Sequence, residues 1–278
     1  MAETGTGYLE LGDGKLYYEV AGEGETLVLG HAGFLDSRMW DPQWDAFTAR
    51  YRVIRYDMRG YGKSDPASGP RNRRRDLAHL LDHLGVTRAA LLGCSMSGQI
   101  MLDYALEHPE VVSALIMVTS APSGFKMEGA PPPELLEMIA ATQQGDTART
   151  SELQLRLWID GPYRQPEQVN PDVRRRAAEM NRIPVERNTW LLADTQPFEL
   201  LDPPAISRLD TIDIPTLVML GALDHPETVR AAGVLADSIK GAQQHTFAHS
   251  AHVPNMEEPE EFTQTVLNFL ERAWEYLG

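Results

Sequence analysis

Apolar residues in this chain follow two rhythms, short unbroken runs and stripes three or four apart, and the two alternate. Thr26–Gly30, Arg52–Tyr56, Ala89–Gly93, Val112–Val118 and Pro215–Leu220 are short, mostly apolar runs, the pattern of strands buried on both faces. Met39–Arg50 reads as a helix, as does Arg73–Leu84, where Leu77, Leu80, Leu81 and Leu84 share a face until Gly85 stops it. Another helix follows Ser95 and ends near His108-Pro109. At the start, Tyr8–Leu11 and Lys15–Val20 flank Gly12-Asp13-Gly14, a hairpin signal. A short strand at Gln243–Phe247 and a helix from about Pro259 to Tyr276 close the chain. This alternation predicts an α/β fold, with a mostly parallel sheet covered by helices on both faces.

The rhythm breaks after Ser120. Pro122, Gly124 and Gly129 lead into Pro131-Pro132-Pro133, and no clear strand follows until Pro215. Helical patterns fill the gap at Glu134–Gln144, Thr150–Ile159 and Val173–Met180. The expected division is a core of residues 1–121 and 206–278 with a helical cap inserted at 122–205.

Composition narrows the function. The chain has 278 residues, enough for one domain with an insertion, and 42% hydrophobic with 23% charged residues is ordinary for a globular protein. A net charge of −15 argues against nucleic acid or an anionic membrane as partner. The single cysteine, Cys94, excludes an internal disulfide and agrees with a cytoplasmic protein. Met1–Gly7 has neither the basic nor the apolar part of a signal peptide, and no apolar run has the length of a membrane helix.

The richest chemistry lies at Ala89–Gln99, an apolar run, a turn of small residues and a helix, with Ser95 at the turn between Gly93 and Ser97. A serine there projects its hydroxyl clear of the sheet above the free N–H groups of a helix start, a nucleophile elbow. Such a hydroxyl needs a base, and the base a buried carboxylate. Both are expected on loops at the carboxyl ends of later strands. Asp224 stands just past the run ending at Leu220, and His252 in the loop after Phe247, giving the order serine, acid, histidine. The plainer reading of Ser95 is a helix cap. Ser97 is an alternative nucleophile and His249 an alternative base. The spacing of His245, His249 and His252 hints at a metal site, but no neighbouring glutamate completes a zinc motif.

These segments resemble the α/β-hydrolase superfamily, in its branch with a serine nucleophile and a helical cap. His252–Phe262 resembles the family's catalytic-histidine segment, Tyr56–Ser64 the loop after a preceding core strand, and Gly221–Asp224 the acid turn. Leu29–Phe34 looks like the family's His-Gly-x turn, which implies Gly33 and Met96 as the two backbone donors of an oxyanion hole. Ala32 and Ser97 stand where the family usually has glycine. The resemblance covers nearly the whole core and not the cap. It implies a hydrolase of carboxylic esters or lactones with Ser95, Asp224 and His252 as its triad, acting on a small apolar molecule and needing neither metal nor organic cofactor. Alternatives on the same triad are cleavage of carbon–carbon bonds in ring-fission products, or a receptor with little turnover. Phe34, Trp158 and Trp190 are the expected pocket walls. Cys94 is expected to pack the elbow, His31 to be structural, Asp57 and Arg59 to hold loops, and Arg71, Arg73, Arg74 and Arg75 to form a solvated helix start.

Overall fold

The computed structural model describes residues 5–196 and 198–275. Its centre is an eight-stranded sheet formed by β1 (Gly5–Leu11), β2 (Gly14–Ala21), β3 (Thr26–Gly30), β4 (Arg52–Tyr56), β5 (Ala89–Cys94), β6 (Val112–Val118), β7 (Thr216–Gly221) and β8 (Gln243–Phe247). The spatial order is β1-β2-β4-β3-β5-β6-β7-β8. β1 and β2 pair antiparallel around Gly12-Asp13, β2 joins β4 antiparallel, and every later pairing is parallel.

The helices are α1 (Asp41–Thr48), α2 (Arg73–His83), α3 (Met96–Glu107), α4 (Pro133–Gln143), α5 (Thr147–Leu155), α6 (Pro171–Glu186), α7 (Pro226–Ser238), α8 (Pro254–Glu257) and α9 (Pro259–Glu275). Tyr276, the expected end of the last helix, lies outside the described residues. Residues alternate between two cores along each central strand, as a two-residue side-chain period requires. Leu27, Leu29, Leu92, Ile116 and Met219 face Phe47 of α1 and Phe262 and Phe269 of α9. Val28, Leu91, Leu115 and Val218 face Leu77 and Leu80 of α2, Met101 of α3 and Leu235 of α7. Helices therefore cover both faces, the α/β-hydrolase arrangement expected. Among the described residues no helix is long and apolar enough to cross a membrane.

Between β6 and β7 the described chain has no strand. It runs through α4, α5, a wide helical turn at Arg156–Asp160, α6 and a second such turn at Trp190–Asp194. The first expected helix is shorter than its pattern, because a tight turn at Ser37–Trp40 precedes α1. Two helices, α7 and the four-residue α8, were not legible in the apolar pattern; in α7 two of the three buried residues are alanines, Ala231 and Ala232. The arginine cluster also differs from expectation. Arg73 is buried against Asp194, Arg71 is buried against Asp13, and Arg74 reaches Glu107. Carboxylates far away in sequence draw three of the four arginines into ion pairs, while Arg75 is exposed as a solvated helix start would have it.

Candidate active site

Ser95 stands between β5 and α3 at φ 55° and ψ −116°, a left-handed conformation that costs a non-glycine residue on the order of 1–3 kcal/mol. The backbone on either side of it is closely packed. A Cβ on Gly93 would lie 2.6 Å from the backbone nitrogen of Gly98, and one on Gly98 would lie 2.8 Å from the Gly93 carbonyl oxygen. The second indispensable glycine of the turn is thus Gly98, one position beyond the Ser97 of the sequence pattern. The Ser95 N–H donates to Val118 O at 2.8 Å, which ties the turn to the end of β6.

Two loops at the same sheet edge reach this serine. Asp224 follows β7 and His252 follows β8, and both are almost fully buried. His252 Nδ1 lies 2.6 Å from Asp224 Oδ2, and His252 Nε2 lies 2.8 Å from Ser95 Oγ. With a carboxylate facing Nδ1, that nitrogen carries the ring proton and Nε2 accepts from the serine hydroxyl. The loops are fixed in turn. Asp224 Oδ1 accepts the His225 N–H at 2.7 Å, the Thr119 hydroxyl donates to His252 O at 3.0 Å, and the His252 N–H donates to Trp158 O at 3.3 Å.

The alternatives from the sequence are kept apart. Ser97 is fully buried, with its hydroxyl directed to His31 O. The His249 N–H donates to Glu258, while His245 Nε2 faces Glu261. Among the described residues no group of His, Cys, Asp or Glu forms a metal-binding cluster. Burial pushes the Cys94 thiol up to about 12, so it stays protonated at neutral pH. Its Sγ packs 3.7 Å from His252 O, a supporting position.

The turn after β3 faces Ser95 from the other side. Burial lowers the pKa of His31, which stays neutral; its Nδ1–H donates to Ala32 O at 2.8 Å and its Nε2 accepts the Met58 N–H at 2.9 Å. Gly33 packs on Met96, since a Cβ at Gly33 would meet the Met96 side chain at 2.7 Å. Neither the Gly33 N–H nor the Met96 N–H is engaged by an acceptor among the described residues, and Met96, first in its helix, has no intrahelical one. Asp57 and Arg59 hold the neighbouring loop. Asp57 accepts the Ser37 and Lys63 N–H groups, and Arg59 pairs with Asp76 and Asp13.

Ser95 and His252 open into a cavity of about 320 Å³. Its apolar lining is Met96, Ala121, Phe125, Met127, Pro132, Leu135, Leu157 and Trp158; its polar side is Gln99, Thr119, His225, Glu227 and Thr228. Among the described residues no lysine or arginine lines it. Trp158, named from sequence as a pocket wall, lines this cavity with its ring centroid 4.9 Å from that of His252. Phe34 is buried behind it, 6.1 Å from Trp158, and supports the wall without lining the cavity. Trp190 corrects the expectation, because it packs on Met138, Ala141 and Leu153 in a separate cluster between α4 and α5. His225 and Gln99 went unread, although each has a signal, His225 beside Asp224 and Gln99 one helical turn beyond Ser95.

Comparison with known proteins agrees with the fold. Residues 25–259 match the family profile described as alpha/beta hydrolase fold. The chain is 29% identical over 268 residues to a pimeloyl-[acyl-carrier protein] methyl ester esterase of Vibrio atlanticus, covering 92% of this chain and 98% of that one. It is 30% identical over 270 residues to a 2-hydroxy-6-oxononadienedioate/2-hydroxy-6-oxononatrienedioate hydrolase of Burkholderia vietnamiensis, covering 93% and 91%. A solved N-acyl homoserine lactone degrading enzyme superposes with a TM-score of 0.80 at 29% identity, covering 95% of this chain and all of that one, 100%.

Proposed function

The chain belongs to the α/β-hydrolase fold family, and from that premise we propose that it is a serine hydrolase cleaving a carboxylic ester or lactone. The observation that carries the reading is the continuous relay from Asp224 Oδ2 through His252 to Ser95 Oγ, with separations of 2.6 and 2.8 Å. His252 Nε2 takes the Ser95 proton as Oγ attacks the substrate carbonyl, and Asp224 stabilises the imidazolium that forms. The Gly33 and Met96 N–H groups receive the oxyanion. The tetrahedral intermediate collapses as the imidazolium returns its proton to the departing alkoxide, leaving an acyl group on Ser95. Water, deprotonated by His252, then adds to the acyl carbon, and the acid leaves as Oγ regains its proton.

Residues 122–205 act as a cap over this site, supplying Phe125, Met127, Leu135, Leu157 and Trp158 to the apolar wall. The substrate is a small uncharged molecule with an apolar portion. A carbon–carbon hydrolase of dicarboxylates, which the name of the Burkholderia relative describes, fits less well, because among the described residues no lysine or arginine lines the cavity to receive a second carboxylate and the Glu227 carboxylate lines it. The working compartment is the cytoplasm, which suits a lone buried thiol.

The test is hydrolysis of p-nitrophenyl esters from acetate to octanoate by wild type and Ser95→Ala. Turnover by the wild type that disappears in the variant is expected. Equal turnover by both, or none by folded wild type, overturns the reading.

A further inference from the structure

The outer wall of the cavity is a stretch with little support of its own. Residues 122–132 join β6 to α4 without regular structure and contribute Phe125, Met127 and Pro132 to the lining. Within residues 126–131, among the described residues, the hydrogen bonds to the rest of the chain all run to two side chains of α7. Arg230 Nη2 donates to Lys126 O at 2.6 Å, and the Glu128 N–H donates to Glu227 Oε2 at 3.1 Å. The Arg230 guanidinium also stacks over the Phe125 ring, 4.3 Å from its centroid, and its Nη1 lies 3.3 Å from Glu128 Oε1. Glu227 orients Arg230 through contacts of 2.6 Å from Nη2 and 3.1 Å from Nε.

We propose that Arg230, which does not itself line the cavity, is a positioning residue that clamps the Phe125–Glu128 wall to α7 and so sets which substrate lengths the cavity accepts. One guanidinium does three things at once. Its face holds the aromatic ring, one nitrogen holds a backbone carbonyl, and its charge is balanced by Glu227 and Glu128. A lysine has one charged nitrogen and no planar face, so it cannot make all these contacts together. The consequence falls on binding, since the clamp touches neither Ser95 nor His252. Substrates long enough to rest on Phe125 and Met127 depend on it, and acetate-sized ones far less.

The role of Arg230 in substrate choice rests on the serine-hydrolase reading; the clamp itself does not, and two measurements separate them. The first is trypsin cleavage after Lys126, followed by mass spectrometry. Arg230→Ala is expected to speed it about tenfold, as loss of one cation–π contact and one hydrogen bond allows. An unchanged rate overturns the clamp. The second is kcat and KM for p-nitrophenyl acetate and octanoate in wild type, Arg230→Ala, Arg230→Lys, Phe125→Ala and the Arg230→Ala/Phe125→Ala double variant. The octanoate-to-acetate KM ratio is expected to rise about fivefold in Arg230→Ala, with Arg230→Lys restoring only part of it and the double variant adding little to Phe125→Ala. A ratio equal to wild type, or effects that simply multiply, overturns the role in substrate choice. Faster cleavage with no ester turned over by any form keeps the clamp and removes the serine-hydrolase reading.

Discussion

The Ser97 hydroxyl donates to the main-chain carbonyl of His31, joining the helix that follows Ser95 to the turn that carries Gly33. Where the family usually has glycine, this chain has a buried bond between the nucleophile's turn and the proposed oxyanion donor's turn. Ser97→Ala leaves the His31 carbonyl buried without that donor, a loss of about 1–3 kcal/mol in stability. If the bond also sets the Gly33–Met96 spacing, kcat falls about threefold to tenfold with little change in KM, because the donors act mainly on the transition state. Steady-state kinetics and urea denaturation on the same variant measure both. A stability loss with unaltered kcat would mean that the bond supports the fold and not the donors.

Asp224→Asn is expected to lower kcat by about 10³–10⁴-fold while KM stays within a few-fold, since the amide no longer enforces the Nδ1–H tautomer of His252. The contact at stake is the 2.6 Å approach of Asp224 Oδ2 to Nδ1. Retention of more than a tenth of wild-type kcat would assign the acid to another residue.

Asp103 gives a pH dependence whose sign can be worked out. Burial raises its carboxyl to about 6, against 3.8 for the free side chain, although the Ser123 hydroxyl donates to it at 2.7 Å. The native state therefore holds this proton where the unfolded chain has released it, and stability falls as pH rises from about 4 to 6. At about 1.4 kcal/mol per pKa unit, the cost above that window is on the order of 2–3 kcal/mol. Asp103→Asn keeps an acceptor for Ser123 and cannot ionise. Urea denaturation should find it more stable than wild type at pH 7.5 and equal to it near pH 4. A constant difference at both pH values would rule out Asp103 as the source.

Much of this arrangement is legible in the sequence, for a physical reason. Thr26–Gly30, Arg52–Tyr56, Val112–Val118 and Gln243–Phe247 coincide with β3, β4, β6 and β8, because a strand's own run of residues carries its signal. Ser95, Asp224 and His252 are legible because each sits at a strand end, and they meet in the structure. What failed depends on partners distant in sequence. Trp190 reads as a pocket wall by size alone, and only the packing of α4 on α5 places it in another cluster. Arg73 reads as solvated until Asp194, more than a hundred residues later, folds over it. Gly98 is a nearer miss, since its need appears only when β5 and α3 are brought together.

That Arg73–Asp194 pair supports the final prediction. Arg73 opens α2 in the core, Asp194 ends the Trp190–Asp194 turn of the insertion, and both side chains are more than nine-tenths buried. Arg73 Nε donates to Asp194 Oδ1 at 3.1 Å, and the Tyr61 hydroxyl also points to this carboxylate. Removing one partner of a buried pair leaves an uncompensated charge, so Asp194→Leu should cost about 3–5 kcal/mol. Replacing both, as Arg73→Met with Asp194→Leu, removes the charge as well as the bond and should recover most of that loss. Tyr61 loses one acceptor in both variants but keeps the Gly33 carbonyl at 2.6 Å, and the Arg73→Met single variant accounts for the Nη1 donation to Arg59 O at 3.1 Å that the double variant also loses. Urea denaturation of the wild type, both single variants and the double variant gives the coupling directly. A double variant as unstable as the sum of the singles would show that the two residues act independently and that this pair does not hold the insertion to the core.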